Sequence, residues 1–185
     1  MNREKESVYW QLLILRCQRG DAAALQEFVR CWEKRLFYYV RRLVDQEADA
    51  WDVLQKTWMK VVRDLKALKY SQSLPCWLYT VARNTAIDHQ RATHCGPHYQ
   101  SLQSADIEQP LCTTPEPELA LDDAEAVHRA LSQLSVDHRE VLTLFFLQDL
   151  SIKEIAQIVG TSEGTIKSRL HYARHALRRL LQEDK

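Results

Sequence analysis

The side chains best suited to make specific polar contacts are concentrated between positions 163 and 178. Glu163, Thr165, Lys167, Ser168, Arg169, His171, Arg174 and Arg178 fall there at helical spacing. Such a set supplies donors and acceptors for base edges and cations for phosphates. Glu163, Thr165, Lys167, Ser168 and His171 are placed for base edges, and Arg169, Arg174 and Arg178 for the backbone. Covalent chemistry has weaker support. Cys76, Asp88 and His89 form no nucleophile–base–orienter set by their spacing, so no enzyme is expected. The stretch His94-Cys95-Gly96-Pro97-His98 resembles a metal half-site, but only a lone Cys112 follows it. A structural zinc needs a second ligand pair, so neither metal nor cofactor is expected.

The elements that must hold these residues are readable in the chain just before them. Ser151-Ile152-Lys153-Glu154 has the spacing of a capping box, in which hydroxyl and carboxylate satisfy each other's backbone amides. Ile152, Ile155, Ala156 and Val159 give the short helix that follows an apolar side, and Gly160 suits the left-handed residue that ends it. Ser162 can cap a second helix with Ile166, Leu170, Ala173, Leu177 and Leu180 inward. Short helix, glycine turn and longer cationic helix make a helix-turn-helix over Ser151–Leu181, whose second helix can enter a major groove.

A net charge of zero hides the distribution of charge. Residues 1–91 carry 16 Lys/Arg against 11 Asp/Glu, a net of +5; residues 92–122 carry no Lys/Arg and 5 Asp/Glu, a net of −5. Residues 123–185 are balanced at 9 of each, yet 151–181 within them holds 6 Lys/Arg against 2 Asp/Glu, a net of +4. Two basic regions therefore flank an acidic connector. The connector also carries Pro97, Pro110, Pro115 and Pro117, and apolar periodicity stops within it. The expected fold is all-α, with a helical domain over 1–91, an extended acidic linker over 92–122 and a helix-turn-helix domain over 123–185. Five scattered cysteines give no disulfide framework, and the charged N-terminus lacks a signal sequence, so a cytoplasmic protein is expected.

Four helices are expected in the first domain. Asp21 after Gly20 caps one running from Ala22 to about Val44. Another has Trp51, Leu54, Trp58, Val61 and Leu65 as its inner stripe, with Asp45, Asp49, Asp52 and Lys56 opposite. A further helix starts at Pro75 and runs to about Arg91, with Leu74, Leu78, Val81 and Thr85 on one side. In the last domain, 124–134 and 137–147 read as two short helices, the second with a dense core run from Val141 to Leu147.

Taken in order, several of these segments resemble the sigma-70 family, most nearly its small extracytoplasmic-function (ECF) class. Ser151–Ala156, Gly160–Leu170, Ala173-Arg174 and Leu177-Arg178 are similar to region 4. Asp49–Gln55 is similar to region 2.2, and Trp77–Tyr79 with Arg83–Asp88 and Arg91 to regions 2.3 and 2.4. The resemblance implies a factor that binds core RNA polymerase and promoter DNA, reading the −35 element with the last domain and opening the −10 element with the first. Asp49, Asp52 and Gln55 are then expected to meet polymerase, while Trp51 and Lys56 depart from the acidic residues common there. Trp77 and Tyr79 would stack on bases, Asn84 would contact an exposed base edge, and Arg83 and Arg91 would meet phosphates. Core packing is the competing reading for Trp77. The pocket loop would be Lys69–Leu74. The resemblance also makes an anti-sigma protein a possible partner. It gives the acidic linker the place of a polyanion mimic in the polymerase channel. The rival reading is a stand-alone helix-turn-helix regulator.

Overall fold

The computed structural model describes residues 3–68, 73–93 and 124–183, and every regular element among them is helical. In chain order these are α1 (Arg3–Gln18), α2 (Ala22–Leu43), α3 (Glu47–Asp64) with a closing 3-10 turn (Leu65–Ala67), and α4 (Leu74–Thr93). Then come α5 (Ala124–Gln133), α6 (Val136–Leu142) with a π-helical turn (Thr143–Leu147), α7 (Ile152–Val159) and α8 (Glu163–Glu183). They gather into two compact units, one within residues 1–92 and one within 93–185. Most of the expected linker, from residue 94 on, lies outside the described residues, as do positions 69–72 of the expected pocket loop.

In the first unit the α1–α2 corner is set by local chemistry. Gly20 has φ +85°, and the Asp21 carboxylate accepts from the Ala24 amide at 3.0 Å while Arg16 donates to it at 2.9 Å. The capping amide, then Arg16, holds the Asp21 carboxyl below the usual carboxylate range. Phe28, Trp32, Leu36, Tyr39, Val40 and Leu43 make the buried stripe of α2. On α3 the buried residues are Ala50, Val53, Leu54, Thr57 and Val61. The expected inner stripe is thus out of phase at Trp51, which is 50% exposed. The small Ala50 and Val53 take the close contacts there, and Trp51, about 100° round the helix from Ala50, stacks on Phe37 of α2 at 4.1 Å.

The second unit follows the local signals closely. Ser151 and Glu154 form the full capping box, and Gly160 ends α7 in the left-handed region at φ +75°. Ser162 Oγ accepts from the Thr165 amide at 3.0 Å, starting α8. Ile166, Leu170, Ala173 and Leu177 are buried beneath it. The run from Val141 to Leu147 is core only in part. Val141, Leu142 and Leu144 are buried, but Phe146 and Leu147 are 44% and 47% exposed. The π-helical turn has more residues per turn than an α-helix, which swings these later side chains outward.

Candidate nucleic-acid interface

The candidate recognition face belongs to α8. With about 3.6 residues per turn, the burial of Ile166, Leu170, Ala173 and Leu177 fixes which positions point away from the unit. Glu163 and Lys167 are exposed; Thr165, Ser168, His171 and Arg178 are half-buried. Thr165 is partly engaged, its hydroxyl 2.9 Å from Ser162 Oγ. His171 and His175 bring their ring centroids within 4.5 Å.

Two arginines assigned to phosphates make contacts within their own unit. Arg169 sits at the edge of the packed face, its side chain 17% exposed, and pairs with Asp137 of α6 at 3.4 Å. Arg174 lies on the opposite edge. Its guanidinium is over Phe145 and Phe146 of the π-helical turn, at 5.3 and 5.1 Å from the ring centroids. Cation–π contact and partial burial make it a strut that fastens α8 to that turn. The outward row instead includes His175 and Arg179, both exposed, and Tyr172, 40% exposed. The sequence reading missed these three. It followed the row 167–171–174–178, whereas the outward row 168–172–175–179 lies one residue on. The signal was the spacing of 175 and 179 from Ser168.

On α4, Trp77, Asn84 and Arg91 recur every seven residues and so lie along one side. Asn84 and Arg91 are exposed, and Trp77 and Arg83 half-buried. Two turns separate successive members, about 10 Å of helix. Tyr79 is a correction. It is 1% exposed, edge-on to Tyr39 at 5.1 Å and to Trp32 at 6.3 Å, so it cannot stack on a base. Burial holds its hydroxyl well above the ordinary phenol range. Tyr79 belongs to the buried stripe of α4, which runs through Leu74, Leu78, Tyr79, Ala82 and Ala86.

On α3, Asp52 and Gln55 are exposed, whereas Asp49 is half-buried with Oδ1 3.3 Å from His89 Nε2 of α4. Trp51 and Lys56 share their exposed side.

Comparison with known proteins gives the frame for these faces. Residues 28–94 match the model of sigma-70 region 2, and residues 124–177 that of sigma-70, region 4. The RNA polymerase sigma-H factor of Pseudomonas aeruginosa is 33% identical over 180 residues, covering 93% of each chain. The chain belongs to the sigma-70 family, in its ECF class. The ECF RNA polymerase sigma factor SigL of Mycobacterium tuberculosis is 38% identical over 80% of this chain and 83% of its own. A solved sigma factor RpoE from Bartonella quintana, in complex with the anti-sigma factor NepR, is 27% identical with a TM-score of 0.66. It covers 87% of this chain and 98% of its own. This ECF factor is therefore a polymerase-associated sigma factor, and the stand-alone regulator is set aside, because region 2 is matched as well as the helix-turn-helix. Among the described residues no helix is long and apolar enough to cross a membrane.

Proposed function

We propose that this sigma factor divides its work between the two units by residue as follows. In residues 1–91, the outward side of α3 at Asp52 and Gln55 meets core RNA polymerase. The outward side of α4 opens and reads the −10 element, with Asn84 on an exposed base edge, Trp77 as a stacking surface and Arg83 and Arg91 on phosphates. In residues 123–185, α8 lies in the major groove of the −35 element. There Glu163, Lys167, Ser168 and His171 sit near base edges, and Arg178 with Arg179 meets the backbone.

The observation that carries this reading is that each unit turns one hydrogen-bonding helix face to solvent. A regulator reading duplex alone needs only one such face. Opening DNA needs a second, because unstacked bases must be met by stacking surfaces and edge contacts. The factor supplies recognition and positioning, and bond making belongs to polymerase. It works in the cytoplasm, where polymerase is. As for the Bartonella RpoE, an anti-sigma protein is a further candidate partner.

Run-off transcription with core polymerase tests the assignment. Promoters selected by the reconstituted holoenzyme should give specific transcripts that fall with Asn84→Ala and with Arg178→Ala. Transcripts indifferent to both substitutions would overturn it.

A further inference from the structure

Three consecutive residues of α4 fasten it to its neighbours. Asp88 Oδ2 lies 3.0 Å from Lys60 Nζ of α3, His89 Nε2 lies 3.3 Å from Asp49 Oδ1 of α3, and Gln90 Nε2 donates to the Leu43 carbonyl at the end of α2 at 2.6 Å. The two contacts to α3 differ in their access to water. The Lys60 and Asp88 side chains are 35% and 61% exposed, so water and salt weaken their attraction. The His89 side chain is 9% exposed and its Asp49 partner 38%. The Asp49 carboxylate stays more than a third open to water, so it is the imidazole that is withdrawn; the two groups lie close without hydrogen-bond geometry, and removing Asp49 takes the nearby carboxylate away from a buried ring nitrogen.

We propose that Asp49 is a positioning residue rather than a polymerase contact, acting through His89. Their contact sets the roll of α4 against α3, so that polymerase docked at Asp52 and Gln55 meets a helix whose Asn84 and Arg91 already face the −10 strand. The inference rests on the reading of α3 and α4 given above. His89 sits between Asn84 and Arg91 in the chain, so a change in its anchoring is felt at both. A side-chain tip on a helix lies about 5–6 Å from the axis, and a roll of about 10° moves it by about 1 Å. That displacement is enough to spoil a contact that must form as the DNA opens.

The test uses full-length chain reconstituted with core polymerase. Asp49→Ala, His89→Ala and the double variant are compared for core affinity. They are also compared for the rate of open-complex formation on duplex promoter and on a promoter pre-opened at −10. His89→Gln, whose side-chain amide can donate to Asp49, provides a second variant should His89→Ala fold poorly. Each single alanine variant should keep core affinity within about twofold and slow opening of duplex about tenfold. The double variant should open no more slowly than either, as expected for two partners in one contact. The pre-opened promoter should bring all three back to within about threefold of the parent, and His89→Gln should open faster than His89→Ala or, if the latter does not fold, faster than Asp49→Ala. Lys60→Ala should stay within about twofold throughout. If Asp49→Ala weakens core binding about tenfold while neither His89 variant does, Asp49 is a polymerase contact and the inference is overturned; it is equally overturned if the two rate effects multiply. The underlying reading fails separately, if Asn84→Ala opens duplex promoter at the parental rate.

Discussion

Helices α4 and α8 carry the two proposed DNA-facing sides and are held in place by different means. Helix α8 is fixed mainly from its start: the Ser162 cap, the left-handed Gly160 and the Ser151–Glu154 capping box all lie within about a dozen residues of one another. Its flanks are then pinned by Arg169 on Asp137 and Arg174 over Phe145 and Phe146. Helix α4 is fixed towards both of its ends. Tyr79 fills a pocket of aromatic side chains from α2, and the residues 88–90 tether the far end. A side chain's chemical type therefore does not by itself decide its job on such a helix. Tyr79, Arg169 and Arg174 all have the chemistry of nucleic-acid contacts, yet each is packed or paired within its own unit.

The sharpest break between holding and touching is expected on α4. Tyr79→Ala removes a large buried ring and should lower the stability of the first unit by about 3–5 kcal/mol, the range for aromatic truncations in a core. Urea unfolding of the full chain measures this. A loss below about 1 kcal/mol would return Tyr79 to the list of candidate DNA contacts. Its counterpart is Asn84→Ala. The side chain is exposed, so stability should change by less than about 0.5 kcal/mol. Open-complex formation should nevertheless lose about 1–3 kcal/mol, the worth of a specific amide–base pair. Equal losses of stability and opening would show that Asn84 only supports the fold.

How much of this was readable in advance follows from the range of the interactions. The capping box spans Ser151 to Glu154, and the Asp21 cap reaches Ala24, so both are visible within four residues of sequence. The all-α architecture and the helix-turn-helix rest on such short-range signals. Tyr79 is decided by Trp32 and Tyr39, which are 47 and 40 positions earlier in the chain, and no local pattern announces them. Trp51 shows the same limit: either face of α3 offered a run of apolar spacing, and the small Ala50 and Val53 settled which one packs. The π-helical turn rotates Phe146 and Leu147 out of a register that an α-helix would have kept. That rotation also leaves Phe145 and Phe146 where Arg174 can cover them.

On α8 the same distinction predicts opposite effects from neighbouring arginines. Arg178→Ala and Arg179→Ala should each weaken binding to −35 duplex and reduce the salt dependence of binding by about one counterion. Arg174→Ala should leave the salt slope unchanged and cost about 0.5–1 kcal/mol of stability instead, the contribution of a partly exposed cation–π contact. Fluorescence anisotropy over a salt series with holoenzyme and upstream promoter duplex reads the slopes. A drop in slope for Arg174→Ala equal to that for Arg178→Ala would mean the guanidinium leaves the rings for a phosphate on binding.

The smallest effect is expected where the Arg169 strut passes His138 of α6. Burial lowers the His138 imidazole below its ordinary value; Asp137 opposes this and the Arg169 charge adds to it. A histidine lowered by folding stays neutral in the native state while the unfolded chain still takes up a proton. Below about pH 6.5 the unfolded state therefore binds more protons, and stability falls as pH drops until the native imidazole is protonated too. His138→Gln should flatten this part of the pH dependence in urea unfolding between pH 7.5 and 5.5. Arg169→Ala should flatten it less, because burial is the larger cause and remains. Should His138→Gln run parallel to the parent over that range, the charge taken up in acid lies elsewhere. Asp137 and Arg169 would then act on the placement of α8 without setting the protonation of its neighbour.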